Sequence, residues 1–231
     1  LTGANLTGLN LTGANLSDAN LSGANLSGGD LKGANLSGAN LTDADLTDAK
    51  LKGAILSDMN FTDVSLKFAD LSSADLRNSN FTGKDLRDVN LSGVDLTGSN
   101  LSGAELTNVN LTDATLLSAN LSGAHLSGAN LTNAHLSGAN LANVSLSGAD
   151  LTGANLTDAS LTGADLTDVD LSGADLTDLD VSGANLSGAD LSDRDLRSVK
   201  LTAATLSDSD LRSVSLAGTD LSGVNLTGAN L

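Results

Sequence analysis

Residues 121–140 read LSGAHLSGANLTNAHLSGAN: four five-residue units with leucine at positions 121, 126, 131 and 136. A small residue lies two positions before each leucine, and Ser or Thr followed by Gly or Asn comes directly after it. A period of five suits neither regular element. On an α-helix five residues advance about 500°, so successive leucines would fall about 140° apart and circle the helix. On a long strand an odd spacing sends successive leucines to opposite faces. The chain must therefore bend once per unit. Ala and Leu, two residues apart, share one face of a short extended piece. The pair after the leucine turns the corner, being rich in residues that tolerate positive φ or bond to their own backbone. Bends of one sense point every leucine inward and wind the chain into a coil.

Outward from this stretch the register holds without a slip from Leu1 to Leu231. Of its 47 central positions 44 are Leu, and the exceptions, Phe61, Phe81 and Val181, are structural core residues separated by multiples of 20. Asn recurs every 20 residues from Asn20 to Asn140, Asp at 150, 170, 190 and 210, and Lys32 and Lys52 are also 20 apart. Four units per turn stack each set in one column.

The units, A-[ND]-L-[ST]-[GD] in consensus, resemble those of the pentapeptide-repeat family over the whole chain. The resemblance implies an all-β fold: a right-handed quadrilateral β-helix with four pentapeptides per 20-residue coil and about eleven to twelve coils. At about 4.8 Å per layer such a rod is about 55 Å long. Residues 1–231 read as a single continuous solenoid. Because the chain begins and ends on a leucine in mid-repeat, it reads as part of a longer chain or assembly, or as a processed product.

Composition narrows the function. There is no Pro, Cys, Trp or Tyr, and Asp plus Glu outnumber Lys plus Arg by 28 to 11, a net charge of −17. Phosphates are bound by basic patches, which argues against direct nucleic-acid binding. No run of 18 apolar residues suggests membrane insertion, and localisation stays open between a prokaryotic cytoplasm and the cell exterior. The recurrent N-L-[ST] match to the glycosylation pattern arises from the repeat itself. The catalytic inventory is nearly empty. His125 and His135, ten residues apart, fall on opposite faces of a 20-residue coil, and no nucleophile motif or phosphate loop occurs. No enzyme activity, cofactor or metal is expected.

Irregularities mark the candidate interaction surface. Lys84 and Arg194 occupy nominally inward small positions. A lone buried cation is costly, so each either snorkels past a corner or sits where the coil bulges, paired with Asp85 or Asp195. No Lys or Arg occurs between Asp88 and Asp193. The column Asp150, Asp170, Asp190, Asp210 should hold carboxylates about 4.8 Å apart, close enough to raise their pKa values or attract cations. A dedicated calcium site is disfavoured, since calcium needs convergent ligands.

Three functions compete. One is a non-catalytic structural or interaction rod that binds a protein partner or self-associates end to end through uncapped solenoid ends. A second is a DNA mimic resembling the quinolone-resistance pentapeptide proteins, which bind DNA gyrase, a basic DNA-binding protein surface. Averaged over about 55 Å, however, −17 is about half the charge of DNA, which carries one phosphate per 1.7 Å. The third is a surface binder such as an ice binder, using the Ser or Thr found at 36 of the 46 positions after a central leucine.

Overall fold

The computed structural model describes residues 1–231 and consists of one motif repeated. Each corner spans four residues. The Ala4 N–H donates to the Leu1 carbonyl at 3.0 Å, and the Leu21–Ala24 and Leu121–Ala124 corners close the same way at 2.9 Å. The third corner residue takes the left-handed φ that a type II turn requires. Twenty-four glycines and nineteen other residues do so, and the position is filled by Gly, Asp, Asn and Ser almost throughout. Only Asp63, Asp88 and Ser198 depart from it.

Between corners the backbone is extended for too short a distance to form a continuous strand. Pairing consists of isolated parallel bridges, each linking a residue to the one twenty positions on, from Asn5–Asn25 to Asp210–Asn230. The 20-residue coil inferred from the phenylalanines is thus the observed register. Phe61 and Phe81 stack in adjacent coils, with ring centroids 4.6 Å apart and planes 5° from parallel. Val181 stands in the same column and is buried like them.

The Asn or Asp before each leucine turns its side chain onto the next corner. Its Oδ1 accepts the N–H of the residue two positions on, as in Thr132 to Asn130 at 2.9 Å, and frequently that residue's hydroxyl as well, here at 2.7 Å. The residue before the leucine is therefore a corner lock, whereas the sequence pointed to the pair after the leucine as the corner maker. The Asn column adds rungs between coils, from Asn120 to Asn100 at 3.2 Å and from Asn140 to Asn120 at 3.1 Å. The interior is a ribbon of aliphatic side chains from Leu21 to Leu211. Its few polar members are satisfied: the Ser79 and Ser99 hydroxyls donate to the carbonyls of Leu56 and Leu76 at 3.0 and 2.7 Å. No helix is long and apolar enough to cross a membrane.

Candidate interaction surface

The ladder is interrupted at four registers: 40/60, 65/85, 175/195 and 200/220. Those at 65/85 and 175/195 coincide with the two inward cations. The local sequences match: Lys84-Asp85-Leu86-Arg87-Asp88-Val89 and Arg194-Asp195-Leu196-Arg197-Ser198-Val199. At both, a long cation stands where the coil normally packs Ala, and the neighbouring coils part.

Each cation bonds to a carbonyl that no backbone N–H uses, that of Thr62 beside the 40/60 interruption and that of Ser192 beside 175/195. Lys84 Nζ donates to the Thr62 carbonyl, one coil back, at 3.3 Å; Arg194 Nε donates to the Ser192 carbonyl of its own corner at 3.2 Å. Both side chains are half-buried, and burial pushes the Lys84 ammonium below its usual range. The expected pairing with Asp85 or Asp195 does not form. Those carboxylates are taken by Arg87 and Arg197 two residues on, with Arg87 Nε–Asp85 Oδ1 and Arg197 Nε–Asp195 Oδ1 both at 2.9 Å. The guanidinium hydrogen bonds hold both carboxyls down at about 2. The openings are clefts of about 300 Å³ between residues 65–67 and 84–89 and about 180 Å³ between residues 174–177 and 193–198.

Next to Lys67, which lines the first cleft, is a residue that sequence reasoning passed over. Phe68 fills a left-handed corner, φ 59°, and is 53% exposed. Lys67 Nζ lies over its ring, 4.9 Å from the centroid. Its signal was available: it is the one aromatic residue outside the central register.

The aspartate column forms as expected, with bridges 150–170, 170–190 and 190–210, but its electrostatics are reversed. Asp150, Asp190 and Asp210 are held below the usual carboxylate range, not raised. The main causes are side-chain hydrogen bonds from Thr152, Ser192 and Arg212, reinforced by the N–H groups of the same residues. Asp210 does push Asp190 upward, but these local donors outweigh it. His125 and His135 fall in different columns, bridged to Glu105 and Thr115 respectively; His125 Nε2 lies 3.8 Å from Glu105 Oε1.

The charge is strongly partitioned. Residues 88–193 contain 14 acids and no Lys or Arg, so they carry −14 of the total −17. Residues 32–87 hold seven basic and eight acidic residues, and residues 194–231 hold four of each.

Eight copies of the family described as Pentapeptide repeats match the chain, over residues 1–38, 19–58, 39–78, 85–116, 119–158, 154–193 and 195–231. The chain belongs to the pentapeptide-repeat family. Lys84 and Arg194 both fall outside these ranges. Among solved structures the chain is similar to HetL, a pentapeptide repeat protein involved in heterocyst differentiation regulation from the cyanobacterium Nostoc, with 32% identity, 98% of this chain and 88% of that one covered, and a TM-score of 0.31. It is also similar to alr5209 from Nostoc, with 40% identity over 42% of this chain and 84% of that one and a TM-score of 0.37. QnrB1, a plasmid-mediated fluoroquinolone resistance protein, shares 20% identity over 80% of this chain and 85% of that one, with a TM-score of 0.42. No curated protein matches.

Proposed function

We propose that this pentapeptide-repeat chain is a non-catalytic interaction rod: a right-handed, four-sided solenoid of between eleven and twelve coils that engages a protein partner through its side faces. The observation that carries the reading is how the polar side chains are used. The Asn and Asp side chains lock corners, the inward hydroxyls cap carbonyls, and the two histidines lie in separate columns. What remains for recognition is the partition of surface charge and the two openings in the ladder. The test is light scattering across a range of concentrations and salt, with and without candidate partners. A rod that stays monomeric throughout removes the self-associating version, and one that binds no protein under any condition removes the reading.

The concentration of charge favours a second reading, mimicry of DNA toward a gyrase-type enzyme. Residues 88–193 span about five coils, or roughly 25 Å, a length over which DNA carries about fifteen phosphates. Their charge of −14 matches that density, whereas the average over the whole rod is half of it. In a supercoiling assay the rod should inhibit or protect gyrase at micromolar concentration. Absence of any effect discards this reading and leaves the first.

A further inference from the structure

We propose that two copies of this chain pair side by side, antiparallel, through the face that carries the Asn20–Asn140 column, with the two-fold axis at Asn80. This pairing rests on the interaction-rod reading and makes the protein partner a second copy.

Three observations converge. The first is where charge is missing. On this face the residue before the central apolar one is Asn in seven successive coils, from Asn20 to Asn140, and the residue after it is Ser, Thr or, at 142, Ala. In each of the other three such columns no more than three residues in a row lack an ionisable group. From Asn78 to Asn143 the left-handed corners on both sides of the strip are Asn, Gly or Ser throughout. Round those corners lie Arg77, which is paired with Asp75, and Lys84, Asp85, Glu105 and His125. A chain of net −17 repels its copy over most of its surface, so the strip is where close approach costs least.

The second is that the strip is already a ladder. Parallel bridges run unbroken from Asn60 to Asn140. Amide rungs join Asn80 to Asn60 and Asn140 to Asn120 at 3.1 Å and Asn120 to Asn100 at 3.2 Å, and Asn100 donates to the Thr82 hydroxyl at 2.9 Å. Each of these donors keeps a second amide hydrogen. Asn ladders strengthen the packing of paired sheets. A second copy has the same repeat, so its rungs stay in step along the whole contact.

The third is the fit of the corners. A two-fold axis at Asn80 overlaps all seven coils and sets Asn60 against Asn100, Asn40 against Asn120 and Asn20 against Asn140. Four carboxylates flank the strip: Asp18, Asp43, Asp58 and Asp63. The same rotation lays them opposite positions 138, 123, 98 and 103 of the other copy, and all four are glycines. Asp63 then stands two coils, about 10 Å, from its own symmetry mate, which is about the Debye length at 0.1 M salt. Parallel rods would instead bring Asp63 against Asp58. Such a self-complementary patch closes as a dimer. Seven rungs extend only about 30 Å on one narrow face, so the contact lies at the low end of specific interfaces, below about 1,200 Å², and the dimer is weak.

Sedimentation velocity of the full chain, from micromolar to millimolar, is the test. The chain should be monomeric in low salt, with a dimer that strengthens as salt rises to roughly 0.3 M and screens the remaining repulsion. A contact made by ion pairs would weaken instead. Asn80→Asp sets two carboxylates together on the axis and should weaken the dimer by about tenfold or more. Asn110→Asp adds the same charge on the opposite face and should leave it unchanged. Both columns already accept Asp with the corner lock intact, at Asp180 and Asp150. The chain has no cysteine of its own. Thr82→Cys, beside the axis, should therefore cross-link on mild oxidation, while Ser102→Cys, which faces Thr62, should not. Salt that weakens the dimer, equal losses from the two aspartates, or equal cross-linking at the two cysteines would each overturn the pairing. A chain that stays monomeric at every salt overturns it too, and leaves the interaction rod to a partner of different sequence.

Discussion

The openings at Lys84 and Arg194 share a motif, an Arg–Asp pair and a cation bonded to a released carbonyl, yet they differ in three ways. The first has a stacked Phe61–Phe81 pair behind it, while the second has leucines 171 and 191 at the corresponding central positions. The first leaves the N–H groups of Asp63, Leu66, Phe68 and Asp85 unbonded; the second leaves those of Leu171, Gly173, Leu176, Asp190 and Asp195, with Asp178 capped by Ser198. The corner next to the first cleft holds an exposed aromatic, Phe68, and the equivalent corner of the second an aspartate, Asp178. The same break in the repeat is thus backed more heavily at Lys84 and leaves more backbone unpaired at Arg194. The comparison shows that a solenoid tolerates a misplaced cation when carbonyls are released nearby to receive it, and that flanking side chains then decide whether the gap is sealed.

The largest expected effect lies in that backing. Phe81→Ala removes half of the buried stack and should destabilise the rod by about 3–5 kcal/mol, measured by denaturant unfolding. Leu191→Ala, behind the second opening, should cost about 2–5 kcal/mol, and a clearly larger loss there than at Phe81 would break the contrast.

Next comes closure. Lys84→Ala restores the family pattern and should let the 65/85 register form, slowing amide exchange at Leu66, Phe68 and Asp85 by roughly tenfold. Arg194→Ala should do the same for Leu176 and Asp195, and exchange that stays fast in both would show that the cations are not what part the coils.

Sealing is a smaller term. Ser198→Ala strips the cap from the Asp178 N–H and should cost about 1 kcal/mol, with faster exchange at Asp178. Phe68→Gly should act in the opposite direction, gaining about 1 kcal/mol in thermal unfolding by relieving the left-handed corner.

The smallest effect is that of pH, and it should be alike in both openings. Asp85 and Asp195 have pKa values depressed to about 2 in the folded chain, against about 4 when unfolded. A depressed carboxylate stabilises the fold fully above its unfolded value and loses that contribution as pH falls toward the folded one. Melting temperatures of Arg87→Gln and Arg197→Gln should therefore differ from the parent chain at pH 5 and converge with it near pH 2.

Much of this molecule was legible in its sequence. The five-residue register determined the corners, the inward leucines and the coil, because period five permits no straight element and apolar side chains must share one interior. Phe61, Phe81 and Val181 determined the column spacing, since residues that stack must recur once per turn. Lys84 and Arg194 stood out because a cation in an Ala position violates the burial rule wherever the chain goes. What only the tertiary structure decided is what those cations do. Their partners, the carbonyls of Thr62 and Ser192, are identified by no spacing rule, since a carbonyl becomes free only when its ladder partner has moved away. The lowered pKa values of the aspartate column were likewise out of reach: the sequence brings like charges together, but only the folded corner aims the N–H and hydroxyl of Thr152 or Ser192 at the carboxylate. The prominence of Phe68 is decided the same way. One residue's place in the register puts it on a corner, but the parting of the next coil is what leaves it beside unpaired backbone.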